Sequence, residues 1–377
     1  MPIHAATPRK TAARPVAAVF AAGVFGALGV IGTAYGVPTS AATFAPTEAS
    51  VEHSIPKKRA THSDIAQKNL NHSLDRARSL RAAQPTGPAA AKAVAELLLM
   101  RLQFYRNYDD LDELKALCDR WQNDARTDAQ YLCADVDAAR HDFEGALARI
   151  KQASQRSGSC KDARRRVAAI GATLQLETNQ SPTRAEDDNV ASASASTAST
   201  AREAGYENAV VMAAMATAKG QPQKAIAYYR QAVSEYADVS PYPIAWAWHQ
   251  TAELLRETNP SQAAQYYEAA LAYLPNYIAP RVELAALQVE QGELDAALRN
   301  LKFAGTLSTD PDIDGLIAEA LELSAMTEDS AEQIVQSRQK AATGFDALLE
   351  RHPYAFADHA AEVFAELDKA RAEELRV

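Results

Sequence analysis

Few side chains of this chain are spaced for chemistry, and its three cysteines come first. Cys118 and Cys133 flank the polar stretch Asn123-Asp124-Ala125-Arg126-Thr127, seven and eight residues from its middle. Two antiparallel helices meeting at that turn bring both thiols to one height. A disulfide between them is expected, with buried free thiols or a bond to Cys160 as the alternatives. The spacing suits neither a zinc site nor a redox pair. His352, Asp358, His359 and Glu362 form a second cluster. A His and a Glu three apart share a helix face, but His352 precedes Pro353 and no third ligand stands at a useful spacing. These residues are read as helix-end polarity and no metal is assigned. No nucleophile stands beside a base, and no Gly loop could cradle phosphate. No catalytic residue and no cofactor are therefore assigned, and a hydrolase or metal enzyme is the least favoured class.

The elements around these residues are helical. Aromatics are sparse, and the two-residue alternation of strands is nearly absent, so the class is all-α. Between 206 and 311 one pattern returns three times. It runs Gly220 to Ala232, Pro260 to Leu271, and Gly292 to Ala304, with its first small residue at Ala225, Ala263 and Ala297. Those steps are 38 and 34 residues, a period that marks stacked supersecondary units. Four residues on come Tyr229, Tyr267 and Leu301, and after them Ala232, Ala270 and Ala304. One helix face is thus small, large, small. Gly220 and Gly292 end the preceding helices, because Gly enters the left-handed C-cap cheaply. Asn259-Pro260 does that work in the middle copy.

This arrangement resembles the tetratricopeptide repeat family. The match covers the small–large–small positions of the second helix. It departs in the first helix, where Ala209, Ala247, Arg281 and Ala213, Thr251, Ala285 stand at the family's aromatic and Gly positions. The resemblance implies an α-solenoid of stacked helical hairpins. Carrying over the family's inward-facing positions implies a partner groove lined by Glu207, Val210, Trp248, Ala252, Leu255, Arg256, Val282, Ala286, Val289 and Glu290. Trp248 would be its anchor and the charges its edge. Such a groove suits an extended segment or a helix of another protein. Residues 206–377 carry 13 Lys and Arg against 26 Asp and Glu, whereas 1–205 carry 26 against 22. An acidic array repels phosphate backbones, so a basic protein segment fits it better than nucleic acid.

Five regions are expected. Residues 1–42 hold a basic start, an uncharged run from Val16 to Val37 and a small-residue segment ending near Ala42. This is the layout of a secretory signal, and the run is also long enough for a membrane anchor. Either reading places the rest of the chain outside the cytoplasm, in the periplasm or on the inner membrane. Residues 43–90 read as a disordered basic linker, with a basic arm toward anionic lipid or wall polymer as the alternative. Residues 91–176 are a degenerate helical-repeat block, with hairpins marked by Leu98 and Leu114 and then by Tyr131 and Ala146, and one more helix from Arg164 to Leu176. Residues 177–204, rich in Ser, Ala and Thr, read as a flexible linker between two helical blocks. Residues 205–377 are the repeat domain, with a fourth, terminal hairpin that keeps Ala331 at the small site and a capping helix from about Tyr354. The expected function is a non-catalytic adaptor of a bacterial envelope. The alternative is an accessory subunit of an envelope or secretion assembly tethered by its N-terminal region.

Overall fold

The computed structural model describes residues 55, 57–84, 88–122, 126–157, 166–167, 170, 201–324 and 328–375. Residues 1–42, Cys160 and nearly all of the 177–204 segment lie outside them. The described residues form helices and turns with no strand. The first block holds α1 (Ser63–Ala83), α2 (Pro88–Tyr105), α3 (Asp110–Arg120), α4 (Thr127–Ala139) and α5 (Phe143–Ser157). The second holds α6 (Ala201–Ala218), α7 (Pro222–Glu235), α8 (Pro241–Leu255), α9 (Pro260–Tyr273) and α10 (Ile278–Glu290). It continues through α11 (Leu294–Gly305), α12 (Pro311–Leu323), α13 (Glu328–Arg351), α14 (Pro353–Leu367) and α15 (Lys369–Leu375). Consecutive helices pack as hairpins, and each hairpin of the second block packs on the next.

The repeat stripe is the packing surface. Ala225, Tyr229 and Ala232, Ala263, Tyr267 and Ala270, and Ala297, Leu301 and Ala304 are each at most 2% exposed. Gly220 and Gly292 take φ of +63° and +77°. They end α6 and α10 with bonds from Gln221 N to Ala216 O and from Glu293 N to Gln288 O. Asn259 caps α9 by accepting from the backbone of Gln262.

Arg106 and His141 stand just beyond α2 and α4 with φ of 44° and 59°. A residue with a Cβ costs about 1–2 kcal/mol in that left-handed conformation. At Arg106 the side chain supplies the reason. Its Nη1 donates to Asp310 Oδ2 at 2.7 Å, with the two side chains only 6% and 1% exposed.

That ion pair belongs to a long-range closure of the chain. The Phe104 ring lies 4.8 Å from the rings of both Tyr242 and Tyr277. Tyr105 and Tyr242 share a hydroxyl–hydroxyl bond of 2.9 Å, and Tyr108 meets Phe356 at 4.8 Å. Arg351 donates to Asp112 at 2.5 Å. The turn between α2 and α3 is therefore seated on the starts of α8, α10, α12 and α14. A single buried core runs from Leu74 through Phe104 and Leu111 to Tyr242, Tyr277 and Phe356. Residues of both helical blocks share this core.

Some boundaries differ from expectation. The stretch 43–90 contains α1, whose Ala66, Leu70, Leu74 and Ala77 are buried. This spacing of four, four and three makes one helical stripe. The helix is anchored where Lys58 Nζ donates to the carbonyls of Ser234 and Tyr236, at 2.6 and 3.1 Å. Of the 177–204 segment, the last four residues open α6. Ala331 is exposed, and α13 packs instead through Ile334, Ala341, Phe345 and Leu348. Of the helix expected over 164–176, Arg166, Val167 and Ile170 are described; Ile170 joins the cluster of Tyr131, Ala146 and Ile150.

Cys118 and Cys133 are disulfide-bonded across the α3–α4 turn, with Cα atoms 5.5 Å apart. Closing a loop of 15 residues stabilises a chain by about 3 kcal/mol. We expect Cys118→Ala with Cys133→Ala to lower the unfolding free energy by about that amount in denaturant titration. Reductant should remove the same amount from the unsubstituted protein and nothing further from the variant.

Candidate functional site

The ten residues implied for a partner groove divide sharply by exposure. Helix α8 is buried on every side from Pro241 to Ala252. Trp248 and Ala252 are fully buried, and Val210 and Val282 are buried as well. The Trp248 ring lies 5.6 Å from Tyr266 of α9, and Trp246 lies 5.6 Å from Tyr229 of α7. His249 meets Tyr277 at 5.2 Å on a third side. Trp248 is a core residue and not an open anchor.

Polar side chains tie the same layer together. Tyr267 donates to Glu253 Oε1 at 2.6 Å, and His249 Nε2 lies 3.2 Å from that oxygen. Burial opposes the Glu253 charge, but His249, Tyr267 and Arg256 outweigh it and hold its pKa below the ordinary carboxylate value. This network is sealed from solvent and holds helices together.

The C-terminal ends of the first helices differ. Arg256, just past α8, donates to Glu283 at 2.7 Å and to Glu290 at 2.9 Å, both on α10. This bridge sets the two helix ends side by side. Around it Leu255, Ala286 and Val289 are half-buried and Glu290 is exposed. Glu257 and Glu293 are exposed beside them, in the turns that follow α8 and α10. Glu207, half-buried on α6, stands apart on another hairpin. What remains of the expected groove is a short apolar strip with an acidic border.

A second concavity, of about 600 Å³, lies among α3, α4 and α5 beside the disulfide. Its charges answer one another: Lys115 pairs with Asp119 at 2.8 Å and Arg149 with Asp137 at 2.8 Å. The sequence reading missed it, since only the fold brings α5 beside α3.

The C-terminal His cluster does not converge. His352 Nε2 lies 3.0 Å from Asp112, whereas His359 Nδ1 pairs with Asp312 at 2.8 Å. Among the described residues no group of three or more His, Cys, Asp and Glu could hold a metal ion. No described helix is long and apolar enough to cross a membrane; residues 16–37 lie outside this statement.

Residues 254–323 match the family model for the tetratricopeptide repeat. That segment carries tetratricopeptide repeats. The matched segment begins at the end of α8 and closes with α12, so it includes the open strip. No curated protein matches the chain. Among solved structures it is similar to the APC/C hetero-tetramer Cut9–Hcn1, with 14% identity and a TM-score of 0.45 over 81% of this chain and 56% of that one. It is also similar to yeast Tom70, with 12% identity and a TM-score of 0.35 over 78% of this chain and 62% of that one. The chain thus spans less than two thirds of either protein.

Two predictions concern the layer beneath the repeats. Trp248→Ala should cost about 3–5 kcal/mol in denaturant titration. Among the described residues the Trp248 Nε1 has no hydrogen-bond acceptor, so Trp248→Phe, which removes that orphan donor, should cost less than half as much. The second concerns pH. Burial works against a charge on His359, but Asp312, with Asp310 behind it, more than offsets this and lifts its pKa to about 9. Its stabilisation is complete below the ordinary value of 6.5 and is lost as pH rises through about 9. His141, 6.4 Å away, is pushed down to about 4 by burial and by the neighbouring His359 charge. Its contribution is present above 6.5 and lost as pH falls toward 4. Stability measured against pH should flatten on the alkaline limb in His359→Gln and on the acid limb in His141→Asn.

Proposed function

We propose that this chain is a non-catalytic scaffold or adaptor of a bacterial cell envelope that holds another protein on its tetratricopeptide repeats. One observation carries the reading. Leu255, Ala286 and Val289 stand half-buried at the ends of α8 and α10, next to the exposed Glu290, Glu257 and Glu293. An apolar strip with an acidic border fits a helix or extended segment that presents apolar side chains between Lys and Arg. The net acidity of residues 206–377 adds long-range attraction for such a segment. The Cys118–Cys133 disulfide supports export, since such bonds persist in oxidising compartments. A second reading, an accessory subunit of an envelope or secretion assembly tethered through its N-terminal region, is favoured by the basic helix α1.

The test is Leu255→Asp with Ala286→Arg. Both side chains are half-buried, so the variant should keep its helical circular dichroism and melt close to the parent. Crosslinking and affinity recovery from native envelope, read by mass spectrometry, should lose the partner. Undiminished recovery by a folded variant would place the contact elsewhere and refute the strip.

A further inference from the structure

Helix α1 presents its own pattern to solvent. At 3.6 residues per turn, Ile65, Lys68, His72, Arg76 and Leu80 fall within about 120° of arc, opposite the buried stripe. All five are exposed, and Ile65 and Leu80 are large apolar side chains left 53% and 51% accessible. Asp64 and Asp75 stand on the margin of the strip, so its centre holds no acid.

The basic residues of this region divide into two sets. Lys58 is spent on the carbonyls of Ser234 and Tyr236, and Arg78 and Arg81 both donate to Glu113. Lys57, Arg59, Lys68 and Arg76 are exposed. Cations between two apolar ends on one helix face suit the boundary between anionic headgroups and acyl chains. Charge over the whole molecule agrees, since residues 206–377 carry twice as many acidic as basic residues and are repelled from such a surface. Distance agrees too: 17 residues separate the uncharged run 16–37 from Ile55, enough chain to span up to about 60 Å.

We propose that the outward face of α1 lies on an anionic lipid bilayer, with Lys68 and Arg76 at the headgroups and Ile65 and Leu80 seated between them. This deepens the envelope reading above and rests on it only for the choice of membrane.

The test uses the protein as purified, with whatever it retains of residues 1–54, and reads amide hydrogen exchange across 63–83. Vesicles of equal parts phosphatidylcholine and phosphatidylglycerol should slow exchange in α1, and added salt should reverse this. Vesicles of phosphatidylcholine alone should not, even if the apolar run anchors the chain in them. Lys68→Glu with Arg76→Glu should raise the amount of anionic lipid needed for half-maximal protection by about tenfold or more, with the melting temperature held. Equal protection on both vesicles, protection unchanged in the variant, or the same protection from soluble heparin would each overturn the proposal. Partner recovery is read separately. Undiminished recovery by the Leu255→Asp with Ala286→Arg variant, with α1 protection intact, would sink the scaffold reading alone.

Discussion

The molecule depends on how closely two helices can approach when alanine lies between them. Ala225, Ala263 and Ala297 carry no bulk, so the neighbouring backbone comes in and Tyr229, Tyr267 and Leu301 fill what is left. A single hairpin cannot bury this face, and each unit therefore relies on the one stacked against it. Around α8 the indoles of Trp246 and Trp248 end inside the stack and not on its surface.

The repeat units were legible because their pattern is local. A period of 38 and 34 residues, glycine at two helix ends and an Asn-Pro at the third are all visible without any coordinates. The first block was legible in outline, since Leu98, Leu114 and Tyr131 carry strong helical spacing. Helix α1 was missed for a physical reason. Its buried stripe is two leucines and two alanines set among Arg, Asn and Ser, and it is stable only because other elements cover it. At Ala331 the register reading failed as well. There α13 follows Phe345 and Leu348, whose larger apolar area outweighs one methyl group.

The candidate site was legible in part. Of the positions implied by family resemblance, Leu255, Ala286, Val289 and Glu290 keep some exposure, whereas Val210, Trp248, Ala252 and Val282 are buried. Exposure was not legible, because it depends on residues far along the chain. Tyr242 and Tyr277 are covered by Phe104, and nothing near them in sequence announces that contact. Arg106 carries a faint local clue: it stands where the later hairpins use glycine, which is unusual for a long side chain without a second duty.

The contact between the α2–α3 turn and the starts of α8, α10, α12 and α14 has a mechanical meaning. An open stack of helical pairs behaves as a spring, winding or stretching to match what it holds. Here Arg106, Tyr108 and Asp112 fasten one coil to Asp310, Phe356 and Arg351 of another, and the spring is latched. A partner held as proposed above would meet a surface of set curvature, and binding would spend little free energy on bending the receptor.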